Sequence, residues 1–153
     1  MKYMGYLIAA CILLLTPLSS QQAENSDKKI GDLTVIVSNL KNNNGKVRIA
    51  ISDSNENYET KGAEPLRRIV STITDRSAEV VFKNLPFGEY AIKVIHDENG
   101  NDKLDTNFLG IPKEEYAFSN NASGWFGPPH YEKAKFKFNM NMAIRITIKS
   151  DRD

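Results

Sequence analysis

Cysteine is almost missing from this chain: of 153 residues only Cys11 carries a thiol. It falls in an apolar run, Leu7 to Leu15, that follows Lys2 and precedes the small and polar stretch Pro17 to Ala23, the order of a secretion signal. Residues 1–22 are therefore expected to be a cleaved signal peptide, and the mature chain to lack thiol, disulfide and cysteine metal ligand. The Ile8-Ala9-Ala10-Cys11 run has a superficial likeness to a lipoprotein acylation signal, yet the apolar segment continues to Leu15, whereas cleavage should follow it. Long hydrophobic runs are lacking too. The uninterrupted run falls short of the roughly 18 to 20 residues that span a bilayer, so no transmembrane segment is expected in the mature chain. The implied location is exported: periplasmic, outer-membrane-associated or extracellular.

Charge of one sign is also missing. Lysine plus arginine number 20 against 19 aspartate plus glutamate, so no strong field favours nucleic acid as a partner. Histidines are only two, His96 and His130. No glycine-flanked serine elbow is present, Ser119 and Ser123 lie among turn formers, and no nucleophile, base and orienting partner can be named together. An enzyme is not expected.

What remains after the signal is about 130 residues, the size of one domain with one core. Residues 23–29 are polar and read as a flexible leader, and a single domain spans 30–150. Its apolar residues alternate. Leu33, Val35 and Val37 share one parity, Val47, Ile49 and Ile51 another, and Asn42-Asn43-Asn44-Gly45 between them predicts a hairpin. Ser54 to Glu64 reads as a surface loop and Leu66 to Ile73 as an edge strand. Val80 and Phe82, then Tyr90, Ile92 and Val94, form the clearest pair of strands, connected through Asn84-Leu85-Pro86-Phe87-Gly88. Ala134, Phe136 and Phe138, then Ile144, Ile146 and Ile148, suggest two antiparallel strands joined at Asn139 to Asn141. The expected fold is all-β: a single antiparallel β-sandwich of prealbumin-like or immunoglobulin-like type, with about six or seven strands and one long ordered loop, Thr106 to Tyr131.

The chemistry concentrates in His96-Asp97-Glu98-Asn99-Gly100-Asn101-Asp102-Lys103-Leu104-Asp105, where oxygen-bearing side chains fall on alternate positions after a strand. That spacing suits a hard, oxygen-loving cation such as calcium. Asp97, Asn99, Asn101 and Asp105 would offer side-chain oxygens and Lys103 its carbonyl. Asp102 replaces the usual glycine and Phe108 the usual bidentate glutamate, so this is no EF-hand. Asp102 tolerates left-handed backbone angles, and Glu114 or Glu115 could supply a carboxylate if the loop folds back. The plain alternative is a metal-free loop of Asx turns. His96 shares parity with Tyr90, Ile92 and Val94 and is expected on the core side, as a structural histidine or, with Asp97 or Asp105, as a ligand for a borderline metal.

The run Phe82-Lys83-Asn84-Leu85-Pro86-Phe87-Gly88-Glu89-Tyr90 resembles the strand-turn-strand of prealbumin-like and carboxypeptidase-regulatory-like sandwiches. His96 to Asn101, Lys103 to Pro112, Tyr116, Phe118 to Ala122 and Phe126 to Pro129 together resemble the exported bacterial family known as domain-of-unknown-function family 2141. The resemblance covers nearly the whole mature chain and implies a small secreted sandwich without implying a reaction. Asp102 and Glu115 stand where that family more usually carries glycine.

Tyr116, Trp125, Phe126 and Tyr131 offer an aromatic platform for sugar rings or a peptide, although burial beneath the long loop is the simpler expectation. The functional expectation is an exported, non-enzymatic domain, calcium-stabilised, in binding or cell-envelope structure, with a protein or carbohydrate partner. The alternatives are a carbohydrate- or peptide-binding module using the aromatic loop and, third, a metal-dependent hydrolase using His96 and His130.

Overall fold

The computed structural model describes residues 28–125 and 127–149. The expected signal peptide, most of the leader, Phe126 and residues 150–153 lie outside the described residues. In chain order the elements are β1 (Ile30–Ser38), β2 (Lys46–Ser52), α1 (Asn55–Glu59), β3 (Arg67–Ser71), β4 (Ser77–Pro86), β5 (Gly88–Asp97), β6 (Tyr116–Phe118), a 3-10 turn (Ser119–Asn121), α2 (Tyr131–Ala134), β7 (Phe136–Phe138) and β8 (Met142–Thr147). One sheet has the order β4-β1-β8, and the other has β3-β2-β5-β6 with β7 also paired to β5. This is an all-β sandwich.

Alternation builds the core. Leu33, Val35 and Val37 of β1, Ile49 and Ile51 of β2, Val80 and Phe82 of β4, and Ile92 and Val94 of β5 are all buried between the sheets. Each fully buried side chain of this size contributes roughly 1.5 to 3 kcal/mol relative to exposure. Because alternation marks only which face of a strand is wet, it does not say which strand lies beside it.

The expected hairpins fail for that reason. β1 pairs with β4 and, in parallel, with β8, whereas β2 pairs with β3 and β5. Asn42 to Gly45 is therefore a crossover between sheets. Gly45, at φ +66°, lies against the end of β5, where an added Cβ would sit 1.9 Å from the Asp97 carbonyl oxygen. Only glycine fits that approach. β7 and β8 likewise part, one to β5 and the other to β1, and Ala134 belongs to α2 instead of a strand. β4 and β5 also lie in different sheets; the corner between them is tied by the Tyr90 hydroxyl, which donates to the Pro86 carbonyl at 2.7 Å.

β3 stands at a sheet edge as expected, but the surface loop before it contains α1. Ser54 and Asn57 form a reciprocal capping box that starts this helix. With α2 it covers a second, smaller cluster of Tyr58, Ala91, Phe118, Tyr131 and Ala134, where Ala91 is the β5 contribution. Among the described residues no helix is long and apolar enough to cross a membrane.

Candidate functional site: the loop after β5

Asp97 ends β5 and is 1 % exposed. A carboxylate so placed needs several donors. Its Oδ1 accepts the N–H groups of Gly100 at 2.7 Å and Asn101 at 3.1 Å, and its Oδ2 accepts that of Asp102 at 2.9 Å. The Arg48 guanidinium lies 3.8 Å from Oδ2 and also bonds Asp102. To bring three successive amides toward one carboxylate the chain must curl, and Gly100 and Asp102 do so at φ 73° and 68°. Asp102 thus takes the left-handed turn for which glycine was the usual residue.

The next turns nest inside this one. Asn99 Oδ1 accepts from the N–H of Asn101 at 3.0 Å, and Asn101 Oδ1 from that of Lys103 at 2.9 Å. These are Asx turns, which tie a side-chain oxygen to the backbone two residues on. Both side-chain amides then meet one carboxylate: Asn99 Nδ2 lies 2.6 Å from Asp105 Oδ2, and Asn101 Nδ2 lies 2.9 Å from Asp105 Oδ1. Asp105 is half-buried and Lys103 exposed.

Glu114 and Glu115 fold back to the loop, but to its backbone and to His96. Glu114, 7 % exposed, accepts the N–H of Glu98 through Oε1 and that of Asp105 through Oε2, each at 3.0 Å. It clasps the two ends of the loop. Glu115 Oε2 accepts the Lys41 N–H at 2.7 Å and lies 3.2 Å from His96 Nδ1. His96 is fully buried, and its Nε2 lies 2.9 Å from the Asn44 carbonyl. A carbonyl only accepts, so Nε2 carries a proton there, and both ring nitrogens are engaged within the protein. The other histidine, His130, pairs with Glu59 of α1 at 3.1 Å, so the two imidazoles hold separate partners. Among the described residues no three His, Cys, Asp or Glu side chains gather as a metal-binding group. The loop's donor set is instead two carboxylates and two amides.

Glu98 completes the rim, with Asn42 Nδ2 at 2.9 Å and Lys41 Nζ at 3.4 Å. The Asn42 hydrogen bond first, then the lysine charge, hold its carboxyl below the ordinary range against the opposing effect of desolvation.

Beyond the loop the chain makes a small hairpin, in which Thr106 bridges Pro112 and Asn107 Oδ1 accepts the N–H groups of Leu109 at 2.9 Å and Ile111 at 3.0 Å. Its tip is apolar and wet: Phe108 is 95 % exposed, with Leu109 and Ile111 exposed beside it. The expected aromatic platform divides. Tyr131 is buried with its ring 5.8 Å from that of Tyr58, Tyr116 is partly exposed against Phe118, and Phe126 lies outside the described residues. Trp125, expected to be buried, is 93 % exposed. Gly124 approaches the Gly127 carbonyl so closely that a Cβ would lie 2.2 Å from its oxygen.

Phe108, Leu109 and Ile111, exposed together at the hairpin tip, are not among the candidates the sequence singles out. Asn107 and Gly110, which close the turn around them at a positive φ of 78° for the glycine, were the available signal. No curated protein and no solved structure gives a match. Residues 35–145, from within β1 to within β8, match the family model described as an uncharacterized protein conserved in bacteria, DUF2141, and the chain belongs to that family.

Proposed function

We propose that this chain is an exported, non-enzymatic binding domain whose Asp97 to Asp105 loop takes calcium and thereby stiffens the base of the Thr106 to Tyr131 segment. The observation that carries the reading is the convergence of Asn99 and Asn101 on Asp105, within 2.6 and 2.9 Å, above the buried Asp97. Amide and carboxylate oxygens on alternate residues are what a hard cation takes. Each asparagine oxygen already accepts one N–H in its Asx turn and keeps a second lone pair for a cation, while Asp105 would exchange its two amide donors for the ion. The Lys103 carbonyl would add a ligand. Glu114 would act by closing the loop's ends, since both its oxygens already accept backbone N–H groups.

Binding as the role is supported by Phe108 and Trp125, large aromatic side chains that face solvent on a braced segment. These favour a peptide or sugar partner at the cell envelope. The hydrolase alternative has less support: the buried Ser119 hydroxyl joins the Ile92 N–H to the Ala134 carbonyl, and His96 is committed to Asn44 and Glu115. Export rests on the signal-like residues 1–22.

Calorimetric titration of calcium to millimolar concentration tests the ion. A binding heat and a raised melting temperature are expected, with saturation at 100 times Kd adding about 2.7 kcal/mol to stability. Asp105→Asn, which keeps the shape and removes the charge, should weaken binding by roughly tenfold or more. Neither heat nor a melting shift at millimolar calcium would sink the reading.

A further inference from the structure

β6 is only three residues long, yet it leaves an open sheet edge. The His96 N–H bonds the Glu115 carbonyl at 2.8 Å, and Val94 stands opposite Ala117, so residues 115 and 117 turn their backbone groups toward β5. The pleat must turn the N–H and C=O groups of Tyr116 and Phe118 the other way. The Phe118 carbonyl opens the 3-10 turn that follows, and the Tyr116 N–H and C=O and the Phe118 N–H are left facing outward with no hydrogen bond between strands or to a side chain among the described residues. They face a groove of about 510 Å³ whose opposite wall is the end of β8 at Thr147 and Lys149. β8 is itself an edge strand, and Asn121 Oδ1 ties the groove's end to β8 by accepting the Thr147 N–H at 2.9 Å.

The groove's exposed charges are lysines, whereas its glutamates are buried or half-buried. Lys41, Lys113 and Lys149 line it together with Glu114 and Glu115. The glutamates are spent inward, on the Glu98 and Asp105 amides and on Lys41 N–H and His96. Lys41 is shared with Glu98, whereas Lys113 and Lys149 make no ion pair among the described residues. An open edge beside unspent cations asks for two things at once: a backbone that can pair, and negative charge.

We propose that the β6–β8 groove binds an extended, acidic peptide segment that adds as a strand to the outer edge of β6. The proposal rests on the binding reading above and not on calcium. The Tyr116 N–H and C=O and the Phe118 N–H supply the main-chain pairs, and Lys113 and Lys149 meet carboxylates on the incoming strand. A second copy of this chain is the poorer occupant. Pairing β6 with β6 would bring the same uncompensated lysines together, the arrangement by which proteins keep sheet edges from joining.

A random dodecapeptide display library panned on the full chain, once with calcium and once with EGTA, tests the idea. Acidic peptides should be enriched, and a synthetic one should shift the backbone amide resonances of Tyr116 and Phe118. N-methylation of its alternate amides should abolish binding, and Lys113→Glu with Lys149→Glu should weaken it roughly tenfold at unchanged melting temperature. Lack of enrichment over that double variant, preference for basic peptides, or indifference to N-methylation would each overturn the proposal, as would a dimer in sedimentation velocity joined through β6. A calcium heat without peptide binding would reject this proposal alone, and peptide binding without a calcium heat would reject only the ion.

Discussion

The chain between Asp97 and Gly127 is held at its root and bare at its tip, by opposite chemistry. At the root, the buried Asp97 and Glu114 carboxylates together accept five backbone N–H groups, so the curl of residues 97–105 is dictated by polar satisfaction. At the tip, Phe108 and Trp125 stand in water with 95 % and 93 % of their surface exposed. A loop usually gains order by burying apolar side chains, and at this root the buried groups are the carboxylates of Asp97 and Glu114. The curl therefore does not depend on Phe108, which leaves that ring available for recognition.

The sharpest way to break this comparison is at Asp97. Asp97→Ala leaves the amides of Gly100 and Asp102 without their acceptor, that of Asn101 with Asn99 Oδ1 alone, and Arg48 without one of its two carboxylates. The donors lie on exposed residues that water reaches, so the loss of their bonds to a charged acceptor should cost about 2 kcal/mol. Urea denaturation should show that loss, together with faster amide hydrogen exchange across residues 100–102. A change under about 1 kcal/mol would mean that the loop is shaped by something other than its carboxylates.

A smaller effect separates the root's rim from its centre. The Glu98 carboxyl titrates below its ordinary range, chiefly through the Asn42 hydrogen bond. A group whose folded pKa is depressed contributes stability above the unfolded pKa and loses it as pH falls through the folded value. Melting temperature should thus decline as pH drops below the ordinary glutamate value of 4.5, and the decline should be shallower in Glu98→Gln. Equal slopes in the two proteins would remove Glu98 from the root.

Much of the root was legible in the sequence because its signals are local. Alternate oxygens place Asx turns, and the tolerance of aspartate for left-handed angles places the bend at Asp102. The fold class was legible for the same reason, since alternation such as Leu33, Val35, Val37 marks a strand's wet and dry faces. Partners were not legible. The Asn42 to Gly45 turn reads as a hairpin, but β1 finds β4 and β8 far along the chain, and the decisive contact, Gly45 on the Asp97 carbonyl, joins residues that only the tertiary fold brings together. Glu114 was visible as a carboxylate, yet its role depends on two amides at opposite ends of a loop.

The smallest expected effect is the most telling for function. Phe108→Ser should change unfolding free energy by no more than about 0.5 kcal/mol, the ordinary range for exposed positions away from structural contacts. Phe108 pairs with no other ring among the described residues, and the hairpin beneath it is closed by Asn107 without its help. A loss near that of Asp97→Ala would show instead that the tip helps to hold the loop, and the division between root and tip would collapse. Unchanged stability with reduced binding of a selected peptide would separate the two duties cleanly. Carboxylates would then fix the chain while the exposed Phe108 ring meets the partner.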